Sequence, residues 1–187
     1  PPLVLSWDSR GRMWVIQYRQ YQVPAGLKVI RYDQHLRAVF DQVPEPPPIG
    51  APGLDRVTVL EDTDGDGRMD KATTFLDNLI NPRRLSIVKG GALVALGDGN
   101  LVFCEDTNGD LVADKRTPLI EFAAAAPRNI EHAENGLHYA IDNWMYNSKS
   151  GRRLKWSNGK IMVDDTKTRG QWGMASDAYG RLYYNSN

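Results

Sequence analysis

The sequence predicts an all-β protein, a β-propeller with about four blades in these residues and part of a larger ring. Three observations carry this. Residues 57–76 (VTVLEDTDGDGRMDKATTFL) and 101–120 (LVFCEDTNGDLVADKRTPLI) agree at eight of twenty positions when shifted by 44. Gly91, Gly136 and Gly180 each precede an apolar or aromatic run, at spacings of 45 and 44. No long segment shows helical periodicity, and Phe122–Ala126 is too short and too close to Pro127 to form more than a turn. A period near 44 is the size of a four-stranded propeller blade.

The elements follow in chain order. Asp8-Ser-Arg-Gly11-Arg-Met-Trp-Val15 reads as a polar turn entering a strand, and Asp177-Ala-Tyr-Gly180-Arg-Leu-Tyr-Tyr184 repeats it. Gly11 and Gly91 lie 80 residues apart instead of twice 44, so the first unit is irregular. Residues 43–52 (VPEPPPIGAP) contain five prolines, which exclude a helix or central strand and predict an extended surface insertion. Arg56–Leu60 and Ala72–Leu76 read as strands flanking an acidic loop, and Leu101–Cys104 as a core strand burying Cys104. The chain is expected to be one incomplete domain over residues 1–187, a fragment or processed product, since it begins at Pro1.

Composition removes several classes. Lysine plus arginine and aspartate plus glutamate are both 23, so no basic excess marks a nucleic-acid binder. No apolar run reaches the length of a membrane-spanning helix. A single cysteine excludes an internal disulfide and covalent haem attachment in this chain.

The acidic loops point to a hard cation. Asp62, Asp64, Asp66 and Asp70 occupy positions 1, 3, 5 and 9 of a tight loop, and the Arg68 carbonyl stands at position 7. Calcium takes six or more oxygens, and alternate residues of such a loop supply them. Gly67 permits the sharp turn, and position 12 is Thr73 where a helical EF-hand has glutamate. The site is therefore expected between strands, and it is similar to the calcium hairpins of integrin-type propellers. The second loop offers Asp106, Asn108, Asp110 and Asp114. There Asn108 removes a carboxylate and Leu111 replaces the permissive glycine, so a distorted, weaker or empty site is expected. Four close carboxylates are expected to repel one another without a cation.

Asp55–Lys71, Trp7–Val15, Asn129–Leu137, Asp142–Asn147 and Gly170-Gln-Trp-Gly173 together resemble the N-terminal propeller of the PVC-type membrane-bound dehydrogenase proteins. The resemblance implies a propeller related to quinoprotein sugar dehydrogenases, exported to the periplasm or cell surface. It further implies a quinone cofactor such as PQQ and a cytochrome c as electron acceptor. In that scheme His132 is the base that takes a hydroxyl proton and Arg128 steadies the cofactor. Two functions follow as expectations: a calcium-stabilised scaffold or interaction subunit of an envelope assembly, or a sugar or alcohol dehydrogenase domain. An incomplete ring does not enclose a central cofactor, which favours the scaffold for this chain. His35 reads as a surface residue, His138 as a strand residue of either face, and the five tryptophans as packing residues rather than a sugar cleft. Lys149–Lys155 reads as a solvated hairpin turn.

Overall fold

The computed structural model describes residues 2–19, 29–32, 34, 38–40, 51–97, 99–120 and 134–185. These are all-β, with no helix among them. The chain divides into two compact units, Pro1–Ile130 and Glu131–Asn187. The Pro-rich insertion up to Gly50 and Phe122–Ala126 lie outside the described residues.

The first unit contains two antiparallel meanders. One is built from β1 (Pro2–Trp7), β2 (Met13–Gln17), β5 (Asp55–Glu61) and β6 (Lys71–Leu79), hydrogen-bonded in that order. A hairpin of β3 (Val29–Tyr32) and β4 (Ala38–Phe40) is inserted between β2 and β5. Gly11 and Gly91 therefore stand one meander apart rather than two, and the insertion lengthens that one interval to 80 residues. The other meander runs through β7 (Arg84–Val88), β8 (Gly91–Ala95), β9 (Leu101–Glu105) and β10 (Lys115–Ile120).

The two meanders share one core. Trp14 and Ile16 on β2 stand opposite Val59 and Val57 on β5, so alternation places all four on one face. With Phe75 and Leu76 they pack against Leu85, Ala92, Val94, Val102 and Cys104 of the second meander. Trp14 meets Phe75 edge to face at 4.7 Å between ring centroids, a geometry that adds to area burial. Cys104 is buried as its strand pattern predicts, and burial pushes its thiol up to about 11, so it is an inert core residue.

The second unit holds a third meander: β11 (Asn135–Tyr139), β12 (Met145–Ser148), β13 (Arg152–Ser157) and β14 (Lys160–Asp165). Met145, Leu154 and Val163 stand in register across its last three strands. A hairpin of β15 (Ala175–Ser176) and β16 (Leu182–Tyr183) follows.

One turn recurs between first and second strands. Asp8 Oδ1 accepts the Arg10 and Arg12 N–H groups, and its Oδ2 accepts Arg12 Nε at 2.7 Å and Trp14 Nε1 at 3.0 Å. Asp177 does the same with Tyr179, Arg181 and the Tyr183 hydroxyl. In the third meander Asp142 takes the Trp144 N–H and the Tyr146 hydroxyl. Positive φ falls on Gly11 (77°), Asn143 (63°) and Gly180 (79°) in these turns. This corrects the expected glycine series. Gly136 sits inside the first strand of its meander, at a register shift, and Asn143 fills the turn position held elsewhere by glycine. Asparagine is among the few residues that tolerate that conformation.

Candidate metal centre

Both acidic loops join the third strand of a meander to its fourth: Asp62–Asp70 between β5 and β6, Asp106–Asp114 between β9 and β10. The sequence repeat therefore marks equivalent places in successive meanders. The match extends to single hydrogen bonds. Gly65 and Gly67 donate to Asp62 Oδ1 and Oδ2 at 2.7 and 2.9 Å. Gly109 and Leu111 donate to Asp106 Oδ1 and Oδ2 at 2.6 and 3.0 Å. The Asp66 N–H bonds Asp64, and the Asp110 N–H bonds Asn108. Arg68 and Val112 donate to Asp66 and Asp110, both at 2.8 Å. Thr63 and Thr107 hold Asp70 and Asp114 with backbone N–H and hydroxyl. Each loop is closed by an ion pair, Glu61–Lys71 at 2.9 Å and Glu105–Lys115 at 2.6 Å. The lysines are more than half exposed, so these pairs contribute little.

In the first loop, oxygens of Asp62, Asp64 and Asp70 lie within 4.8 Å of one another. That is close enough for one cation to reach all three at calcium–oxygen distances of about 2.4 Å. Asp66 lies outside this group, although the sequence placed it among the ligands. Asp62 is held below the ordinary aspartate range, chiefly by the Gly67 N–H and also by those of Gly65 and Asp66. The backbone supplies part of the positive charge that a cation would bring.

The second loop departs from its reading in an instructive way. Leu111 does stand at φ 65°, next to the 88° of Gly67. The loop is nevertheless undistorted, because Leu111 packs with Ala113 against the shared core, and the Ala113 N–H bonds the Phe75 carbonyl of β6 at 2.8 Å. Packing offsets the cost of the left-handed backbone. Asn108 Nδ2 donates to Asp110 Oδ2 at 3.2 Å, so one carboxylate oxygen of this loop is engaged by a neighbouring side chain. Among the described residues, Asp106, Asp110 and Asp114 form no group as close as that of the first loop.

The other candidates are dispersed. His132, Arg128 and His35 lie outside the described residues. His138 on β11 bonds Ser176 Oγ through Nε2 at 3.0 Å, and burial holds its pKa below the ordinary histidine value. Trp14 is a core residue, whereas Trp7 and Trp172 are 58% and 49% exposed. Lys149–Lys155 is more than a solvated turn: Ser150 and Leu154 are buried, and Arg153 stacks on Trp144 at 4.3 Å while pairing with Asp164. Sequence reasoning missed Asp55, which is 1% exposed and receives the Arg19 and Asn81 N–H groups at 2.8 and 2.9 Å. Its partners are 36 and 26 residues away, a link that no local motif announces.

Fold and loops define an all-β protein of four-stranded meanders with an acidic loop repeated at one strand junction. The chain belongs to the family DUF7133, a domain of unknown function, whose model matches residues 1–187. No curated protein and no solved structure matches it.

Proposed function

We propose that this chain is a calcium-stabilised segment of a β-propeller that serves as a scaffold or interaction subunit of an extracytoplasmic assembly. The observation that carries this reading is the bond-for-bond duplication of an acidic loop between third and fourth strands of two meanders sharing one core. Sequential four-stranded meanders with sandwiched apolar faces are how propeller blades stack. Asp62, Asp64 and Asp70 supply the cluster for the cation, with the Arg68 carbonyl and water completing its shell. The second loop binds more weakly, since Asn108 contributes no charge and occupies an Asp110 oxygen. An open site of this kind suits a compartment with millimolar calcium, which supports placement in the periplasm or at the cell surface. The interaction role is supported by β1, where Leu5 and Trp7 alternate onto one face, each 58% exposed, and Leu3 is 41% exposed beside them. Among the described residues no helix is long and apolar enough to cross a membrane.

Calorimetry with calcium and with chelator tests the proposal. A ligand bound only by the folded state stabilises by about 2.7 kcal/mol at a hundredfold excess over its dissociation constant. Chelation should lower the melting temperature, and Asp64→Ala should remove most of that response. Identical melting temperatures in both conditions for the unmodified protein would refute the calcium reading.

A further inference from the structure

The chain contains three Asn–Gly bonds: Asn108–Gly109, Asn135–Gly136 and Asn158–Gly159. Asn–Gly is the dipeptide most prone to deamidation, because glycine has no Cβ to shield its nitrogen. The structure sets the three in different surroundings. Asn135 is 9% exposed; its Nδ2 donates to the Gln171 carbonyl at 2.8 Å and its Oδ1 accepts the Gly173 N–H at 2.7 Å. Asn108 is exposed but pinned. Its Oδ1 accepts the Asp110 N–H, its Nδ2 donates to Asp110 Oδ2, and the Gly109 N–H is held by Asp106 at 2.6 Å. Asn158 and Gly159 form the two-residue turn between β13 and β14, with φ of 49° and 74°. Both are exposed, and a Cβ at Gly159 would meet no atom within 4 Å.

We propose that Asn158 is a built-in modification site of this protein, deamidating through a succinimide while the other two asparagines are protected. The Gly159 backbone nitrogen, having given its proton to solvent base, attacks Asn158 Cγ. The Cγ–Nδ2 bond breaks and ammonia leaves, taking up a proton from water. Water then opens the ring at either carbonyl to give aspartate or isoaspartate, so the net change is one water consumed and one ammonia released. Isoaspartate places an extra methylene in the main chain of a turn that has room for two residues. The ladder from Ser157↔Lys160 to Arg152↔Asp165 then loses its register, and the edge strand β14 is released together with the Asp164 partner of Arg153.

Peptide mapping by mass spectrometry, over a time course in mildly alkaline buffer, tests this on the full chain. Asn158 should convert first, and Asn135 should remain unmodified. Asn108 must break three hydrogen bonds to react, each worth about five- to tenfold in the opening equilibrium, so it should be slower by about a hundredfold or more. In denaturant the three sites should react at similar rates. Asp110→Ala, which removes one restraint on Asn108, should raise its rate by about five- to tenfold and leave Asn158 unchanged. Conversion of Asn108 as fast as Asn158 in the folded protein would overturn the proposal. So would an unreactive Asn158 in the folded chain when the denatured chain reacts.

Discussion

Leu111 offers a direct test of how the two meanders are joined. Replacing it with alanine keeps a β-carbon at φ 65° and removes the side chain that packs on the shared core. Replacing it with glycine removes the same packing and relieves the left-handed backbone. Burying a whole leucine side chain is worth about 1.5–3 kcal/mol; Leu111 is partly buried, so its contacts are worth roughly 1–2 kcal/mol. The left-handed conformation costs a non-glycine residue about 1–2 kcal/mol. Leu111→Ala should therefore lose roughly 1–2 kcal/mol, while in Leu111→Gly loss and relief nearly cancel. The usual order, in which glycine is worse than alanine, is inverted. At about 2–4 °C per kcal/mol for a chain of this size, alanine should lower the melting temperature by roughly 2–8 °C and glycine by clearly less. Thermal unfolding by circular dichroism in the presence of chelator isolates this from cation binding. If the glycine variant melts below the alanine variant, the conformational argument fails. If neither moves, Leu111 does not join the meanders.

Three further outcomes follow from the same geometry. Gly91→Ala should cost about 1–3 kcal/mol in chemical denaturation, because a Cβ there overlaps the Cys104 carbonyl of β9, and backbone cannot swing aside. Asp55→Ala leaves the Arg19 and Asn81 N–H groups without their acceptor and should cost about 2–4 kcal/mol, also read by denaturant unfolding. Because burial lowers the folded-state pKa of His138, the unfolded chain binds its proton first. Stability should thus be complete above about pH 6.5 and decline as pH falls through the folded-state value, and His138→Asn should flatten that part of a melting profile.

The strand-rich class and the equivalence of the acidic loops are written in the chain itself. Eight matched residues at a fixed shift repeat the backbone donors and acceptors of the loop, and local hydrogen bonding then rebuilds the same turn twice. Alternation in Arg56–Leu60 likewise fixes which residues face the core, since strand side chains alternate by geometry. Long-range packing decided the rest. Nothing within Asp106–Asp114 says that Leu111 finds a core to rest on, because that core is assembled from strands of both meanders. Asp66 lies outside the carboxylate cluster and accepts the Arg68 N–H, a placement that spacing alone leaves open. Gly91, Gly136 and Gly180 share a spacing but not a role: Gly91 opens β8, Gly136 lies within β11 and Gly180 fills a turn, since strand position depends on pairing across the sheet rather than on distance along the chain. The three Asn–Gly bonds are identical as sequence, and folding gives Asn108 local partners and Asn135 distant ones while Asn158 and Gly159 face solvent.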